Sequence, residues 1–205
     1  FEIVAPAAWD MIRMTPDLAV IASSAPALVF GSLAQRAEPS AATIRELLAI
    51  SRLNVFDVNL RPPFDSKAVV QESLARSQIV KLNDQELLRL AGWFGLPREL
   101  EAAAAALAER FGPRMVCVTL GPNGAALWND GCWTRHPGFR VQVRDSVGAG
   151  DAFLASLLKG YLEGWGDAQI LQSANAHGAY VASKDGATPR LDREELHAIE
   201  ASAQG

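Results

Sequence analysis

Asp145-Ser146-Val147-Gly148-Ala149-Gly150-Asp151-Ala152-Phe153 is the stretch on which the reading of this chain turns. Small residues at 148–150 lead into an apolar run that predicts a helix beginning near Ala149. Small residues let backbone N–H groups approach an anion closely. A helix amino terminus adds unsatisfied donors and a favourable dipole. Asp151 then falls in the first turn, beside any bound phosphate, where a carboxylate can accept the proton of an attacking hydroxyl. An anion hole with an adjacent base is the equipment for phosphoryl transfer to an alcohol. The same spacing also describes a glycine-rich turn before a helix with an early aspartate, and spacing alone leaves the two readings balanced.

Outward from this stretch, strands and helices alternate. Ala27–Gly31, Asn54–Val58, Gln78–Leu82 and Met115–Leu120 are short apolar runs that predict buried strands. Helical spacing or helix-forming composition covers 41–52, 66–77, Asp84–Trp93 and Leu100–Phe111. Gly121-Pro122-Asn123-Gly124 is a turn by composition, and Ala125–Asn129 with Cys132–His136 predicts a hairpin around Asp130-Gly131. Residues 149–163, 167–183 and 192–201 predict three more helices. Such alternation implies an α/β fold with a mostly parallel sheet covered on both faces. Ligands in such sheets gather at the carboxyl ends of the strands. There is no internal repeat, and everything from about residue 20 onward reads as one domain.

The 205 residues are 49% hydrophobic and 20% charged, with a formal net charge of −4, which argues against a nucleic-acid binder with a broad basic face. No apolar run approaches the length of a membrane span, and no signal peptide is visible, so a cytoplasmic protein is the default expectation. The two cysteines, Cys117 and Cys132, make neither a disulfide framework nor a zinc site, and Cys117 reads as a buried thiol in an apolar strand.

Three further segments carry polar residues at strand ends. Asn83 and Glu86, in Lys81-Leu82-Asn83-Asp84-Gln85-Glu86, can hold magnesium-bound water and phosphate oxygens, or simply cap a helix as N-cap and N3. Thr119-Leu120-Gly121-Pro122-Asn123-Gly124 can line a nucleotide or be an ordinary strand-to-strand turn. Asp57-Val58-Asn59-Leu60-Arg61-Pro62 places an arginine where it can neutralise a phosphate or clamp a sugar, or be surface charge. No Walker A loop and no protein-kinase motif set is present.

Taken in order, these segments resemble the ribokinase-like (PfkB) carbohydrate kinase family. Residues 145–151 are similar to its carboxy-terminal signature, Asn83–Glu86 to its Asn-x-x-Glu motif, and Thr119–Gly124 to its Thr-x-Gly-x-x-Gly turn. Asp57–Arg61 resembles the Asp-x-Asn-x-Arg motif of the fructokinase branch. The resemblance implies a three-layer α/β/α fold in which Gly148, Ala149 and Gly150 form the anion hole and Asp151 is the base. It implies ATP held by Asn83, Glu86, Thr119, Gly121, Gly124 and Asn175, with Glu86 reaching Mg2+ through water. It implies Asp57, Asn59 and Arg61 on the substrate or phosphate side, and a K+ site built from Asp145, Val147, Val181 and Gly186. His177 could lie beside Asn175, although a lone helix histidine is usually structural. Ser156 departs from the family, which mostly has glycine or alanine there.

Family members carry an amino-terminal segment with the first strands, a lid sheet and most of the sugar site. This chain resembles only the region after that segment. Phe1-Glu2-Ile3-Val4 resembles a strand returning from the lid, and Trp9-Asp10 the re-entry into the main domain. Many fructokinases carry an arginine near the Ala5 position, and this chain departs from that sugar contact by having alanine there. The expectation is a fragment with residues 1–19 as a remnant of the lid and substrate region, and 20–205 as the nucleotide-binding and catalytic domain. By itself it should have little or no sugar kinase activity. The full-length protein would be an ATP-dependent kinase transferring the γ-phosphoryl group to a sugar, with fructose favoured. Relatives often form homodimers through the lid. Alternatives are the same chemistry on 2-keto-3-deoxygluconate, a nucleoside or another sugar, or a kinase-like nucleotide-binding regulatory protein without turnover.

Overall fold

The structure is a computed structural model that describes residues 3–202. The chain packs as two compact units, residues 1–117 and 118–205. Among the described residues, each unit combines paired strands with helices, as the alternating pattern predicts for an α/β fold.

In the first unit, α1 (Pro16–Ser24) precedes β1 (Leu28–Gly31), then α2 (Glu38–Ile50), β2 (Asn54–Asp57), α3 (Lys67–Ala75), β3 (Ile79–Asn83), α4 (Asp84–Phe94) and α5 (Leu100–Phe111). The strands β1, β2 and β3 pair in parallel, with Phe30 opposite Phe56 and Asp57 opposite Lys81. Every residue of β2 is buried, as are the first four of β3, the pattern of parallel strands covered on both faces. The Phe30 and Phe56 rings stack with centroids 5.0 Å apart, which extends this core to β1.

Sequence reading missed α1 and started α2 three residues late. The α1 signal was Thr15-Pro16: the Thr15 hydroxyl accepts the Leu18 N–H at 3.2 Å and Pro16 takes the first turn. Pro39 sits in the first turn of α2, where its missing N–H costs nothing. The boundary expected after residue 19 falls inside α1. Of the expected lid-return strand, Phe1 and Glu2 lie outside the described residues, and Ile3 and Val4 belong to no strand.

The strand β4 (Met115–Thr119) contains the point where the second unit begins. Next come β5 (Ala125–Asn129), β6 (Cys132–His136), α6 (Ala149–Leu162), α7 (Asp167–Ala182) and α8 (Arg193–Ala201). The hairpin has the expected bounds, because Asp130 and Gly131 both take the left-handed conformations of a tight two-residue turn. Helices α6 and α7 pack closely: a Cβ on Gly160 would meet Trp165 at 2.9 Å and Ile170 at 3.0 Å. Leu196 of α8 joins Phe139, Ala176, Tyr180 and Val181 in a second core cluster. Among the described residues, no helix is long and apolar enough to cross a membrane.

Candidate active site

The Gly148–Asp151 stretch has the local form its composition predicts. Gly148 is the N-cap of α6 with φ 82°, and Ala149, Gly150 and Asp151 are the first three helical residues. The first-turn N–H groups of a helix have no intrahelical carbonyl to meet. The Asp151 carboxylate is exposed in that turn. The loop before it is held within its own unit. Asp145 Oδ1 accepts the Val147 N–H at 2.9 Å, and the N–H groups of Arg144 and Asp145 donate to the Ala182 carbonyl at 2.8 and 3.3 Å. A Cβ on Gly148 would lie 2.1 Å from the Ala187 carbonyl oxygen, so this loop and the segment after α7 touch backbone to backbone.

That contact brings together the segments expected to cage a monovalent cation. Asp145 and Val147 lie in one and Gly186, with φ 81°, in the other, while Val181 is in the last turn of α7. No group of three or more His, Cys, Asp or Glu side chains able to hold a metal occurs among the described residues. One carboxylate and backbone carbonyls is a donor set suited to K+.

The Thr119–Gly124 segment closes on itself. The Leu120 N–H donates to the Gly124 carbonyl at 2.8 Å around a 3-10 turn at Gly121–Asn123. Gly124 is required there, since its Cβ would overlap His136 and Gly138 backbone at 2.0 and 2.3 Å. Asn175 is buried in α7, and its amide donates to the Leu171 carbonyl one turn back at 2.7 Å. His177 Nδ1 bonds the Ser173 carbonyl at 2.8 Å, and Ser156, also buried, donates its hydroxyl to that of Ser173 at 3.0 Å.

In the first unit, Asn83 and Glu86 form the capping box that the sequence offered as their simpler reading. Asn83 Oδ1 accepts the Glu86 N–H at 2.8 Å and Glu86 Oε2 accepts the Asn83 N–H at 2.9 Å. Glu86 Oε1 also accepts the Leu60 N–H at 2.8 Å, a contact that sequence reading did not foresee. Each oxygen retains a lone pair, so this carboxylate fits a water-mediated approach to Mg2+, an ion that keeps several of its waters.

Asp57 is buried and paired with Lys81, whose Nζ lies 3.2 Å from both carboxylate oxygens. Asn59 has φ 39°, and Arg61 donates from Nη1 to the Leu60 carbonyl at 2.9 Å. Asn59 lines a cavity of about 270 Å³ with Trp9, Gly31, Ser32, Leu33 and Ala34. Sequence reading gave no ligand role to Trp9 or Ser32. Ser32 follows β1 directly, so the rule that ligands gather at strand carboxyl ends could have flagged it.

The profile of pfkB family carbohydrate kinases matches residues 7–193. The chain is 35% identical over 152 residues to a fructokinase of Rhizobium leguminosarum bv. trifolii, covering 70% of this chain and 45% of the relative. It is 32% identical over 165 residues to a fructokinase of Klebsiella pneumoniae, covering 73% and 52%. The chain thus spans about half the length of the curated relatives it matches. Among solved structures, a fructokinase double mutant from Vibrio cholerae O395 with fructose, ADP and potassium bound superposes with a TM-score of 0.73 at 28% identity, covering 84% of this chain and 59% of that one. An aminoimidazole riboside kinase from Salmonella enterica gives 0.75 at 25% identity, covering 98% and 70%. The three-layer α/β/α class expected from the sequence is therefore that of this chain's structural neighbours.

Proposed function

The chain belongs to the pfkB family of carbohydrate kinases, and from that premise we propose that it supplies the nucleotide-handling and catalytic part of an ATP-dependent sugar kinase. The reaction moves the γ-phosphoryl group of ATP to a sugar hydroxyl. The observation that carries this reading is the start of α6, with a left-handed glycine, two small residues and an exposed carboxylate in one turn.

Asp151 takes the proton from the acceptor hydroxyl. The N–H groups of the Gly148–Gly150 turn face the charge that develops on the transferred group, where preorganised donors count for most. Thr119, Gly121, Gly124 and Asn175 hold the nucleotide, and Asn83 and Glu86 orient the waters around Mg2+. When bound, Mg2+ neutralises phosphate charge. Asp145, Val147, Val181 and Gly186 hold K+ near the anion hole, in line with the potassium in the V. cholerae fructokinase structure.

Fructose is the favoured acceptor, supported by the Asp57–Arg61 motif and by the fructokinases among the relatives. A nucleoside acceptor is the second reading, supported by the near-complete coverage of this chain by the riboside kinase. A coupled ADP-release assay of the whole natural protein against fructose, other sugars and nucleosides separates them. Asp151→Asn should lower turnover by roughly 10²- to 10⁴-fold while ATP affinity stays intact. Near-normal turnover in that variant would remove Asp151 as the base.

A further inference from the structure

We propose that Ser32 and Glu86 are positioning residues that clamp the left-handed turn at Asn59 from two different elements, and thereby set the direction of Asn59 and Arg61. What the turn is aimed at rests on the sugar kinase reading; the clamp itself rests on geometry alone.

Asn59 has φ 39°, a conformation that disfavours any residue with a Cβ, although asparagine tolerates it better than most. Such a residue persists only where its surroundings over-determine it. Here they do. The Ser32 hydroxyl donates to the Val58 carbonyl at 2.7 Å and lies 3.4 Å from the Asn59 carbonyl. Glu86 Oε1 accepts the Leu60 N–H at 2.8 Å. The Val58 N–H donates to the Lys81 carbonyl at 3.0 Å. Backbone groups of three consecutive residues are thus tied to β1's exit, to β3 and to α4.

Both clamping side chains are buried, Ser32 at 4% and Glu86 at 7% exposure, and the Ser32–Val58 and Glu86–Leu60 bonds lie in buried surroundings, where a polar group left unpaired is costly. Ser32 begins a 3-10 turn yet makes no capping bond there, which leaves its hydroxyl to the Asn59 turn. Glu86 is the only one of the two that also caps a helix: Oε2 closes the α4 capping box while Oε1 reaches Leu60. One carboxylate therefore couples the two loops to which sequence reading assigned phosphate and substrate contacts. In this arrangement Glu86 affects the reaction through the Asn59–Arg61 turn as well as through any water it holds for Mg2+.

The two side chains can be separated experimentally. Ser32→Ala removes one jaw and leaves Glu86 and the α4 cap untouched. Glu86→Gln leaves one acceptor oxygen for the two N–H groups of Leu60 and Asn83, which weakens the hold on both. The first measurement is amide exchange by mass spectrometry on peptides spanning 58–61, with the α6 peptides as internal reference. Exchange at the turn should become about tenfold faster in both variants while α6 is unchanged, the size expected for one lost buried hydrogen bond. The second measurement is steady-state kinetics of the whole natural protein. Both variants should raise KM for fructose by about tenfold, and Ser32→Ala should leave KM for ATP and the Mg2+ requirement as they are.

Unchanged exchange at 58–61 in both variants overturns the clamp. Faster exchange with an unmoved fructose KM overturns the aiming role. A silent Ser32→Ala beside a Glu86→Gln that alters only the Mg2+ requirement makes Glu86 a metal-water residue and overturns the proposal. Wild-type protein inactive on every sugar would defeat the kinase reading and the aiming role with it, while the exchange result still decides the clamp.

Discussion

A Cβ built on Gly148 would stand 2.1 Å from the carbonyl oxygen of Ala187, closer than any side chain can approach a backbone. The Cα of the residue that caps α6 is therefore a contact surface for the segment after α7. The glycine serves two needs at once, a φ of 82° and the missing side chain.

Gly148→Ala should thus cost more than conformational strain. A left-handed backbone costs an alanine about 1–2 kcal/mol, and relief of the overlap must displace either the loop or residues near Ala187. Gly164→Ala is the matched control in the same unit, since Gly164 has φ 74° and an added Cβ there would meet nothing within 4 Å. We expect Gly164→Ala to lower stability by about 1–2 kcal/mol and Gly148→Ala to lower it further and abolish ATP binding. Denaturant midpoints and calorimetric ATP titrations measure both. Equal losses in the two variants would mean that the Ala187 contact yields at no cost.

The two thiols should differ sharply in reactivity. Cys117 is fully buried in β4, and burial pushes its thiol up from 9.0 to about 12, with the Lys81 ammonium opposing and the Asp57 carboxylate adding to the shift. Cys132 is exposed on β6. A chromogenic disulfide reagent at pH 8 should modify one thiol in the native protein and two in denaturant, because the thiolate is the nucleophile. The folded value lies above the unfolded one, so this contribution to stability is complete below pH 9.0 and is lost as pH rises toward 12. The loss is about 1.4 kcal/mol per pH unit in that window. Two rapidly reacting native thiols, or a Cys117→Ala variant with the same alkaline limb, would contradict this.

Local chemistry was legible in the sequence, and long-range ties were not. The hairpin could be bounded to the residue because Asp130-Gly131 specifies a tight turn without help from the rest of the chain. The Asn83–Glu86 capping box is equally local. By contrast α1 was missed because its apolar residues do not mark one buried face: Val20 and Ile21 point outward at 65% and 61% exposure and only Ala22 is buried. Only the Thr15-Pro16 cap announced it. The hold of Ser32 and Glu86 on the Asn59 turn spans 26 residues in each case, and no spacing rule reaches that far. The same limit hid Lys81, which reads as one residue of an apolar strand until the parallel register sets it opposite Asp57.

The segment before α1 is fastened by an ion pair, beside hydrogen bonds of Ser40 and Thr43 to Trp9 and Ile12, and the ion pair makes its attachment sensitive to acid. Arg36 donates from Nε and Nη2 to the two Asp10 oxygens, each at 2.7 Å, and from Nη2 to the Val4 carbonyl at 2.7 Å. Both side chains are buried, and the guanidinium lies 4.4 Å from the Phe64 ring centre and 5.8 Å from that of Trp9. The Arg36 hydrogen bonds, against the cost of burial and aided by the Ala7 N–H and the Arg36 charge, hold the Asp10 carboxyl below its ordinary 3.8. A carboxyl depressed in the folded state contributes stability that is present above pH 3.8 and is lost as pH falls through its folded value. Asp10→Asn should therefore flatten the acid limb of the stability profile. It should also loosen residues 4–10 at neutral pH, seen as faster amide exchange there with α6 unaffected. Trp9 would lose its place in the wall of the Asn59 cavity with them. If Asp10→Asn keeps both the wild-type acid limb and the wild-type protection of 4–10, the segment is held by ties to α2 such as the Ser40–Trp9 hydrogen bond, and the ion pair is incidental to it.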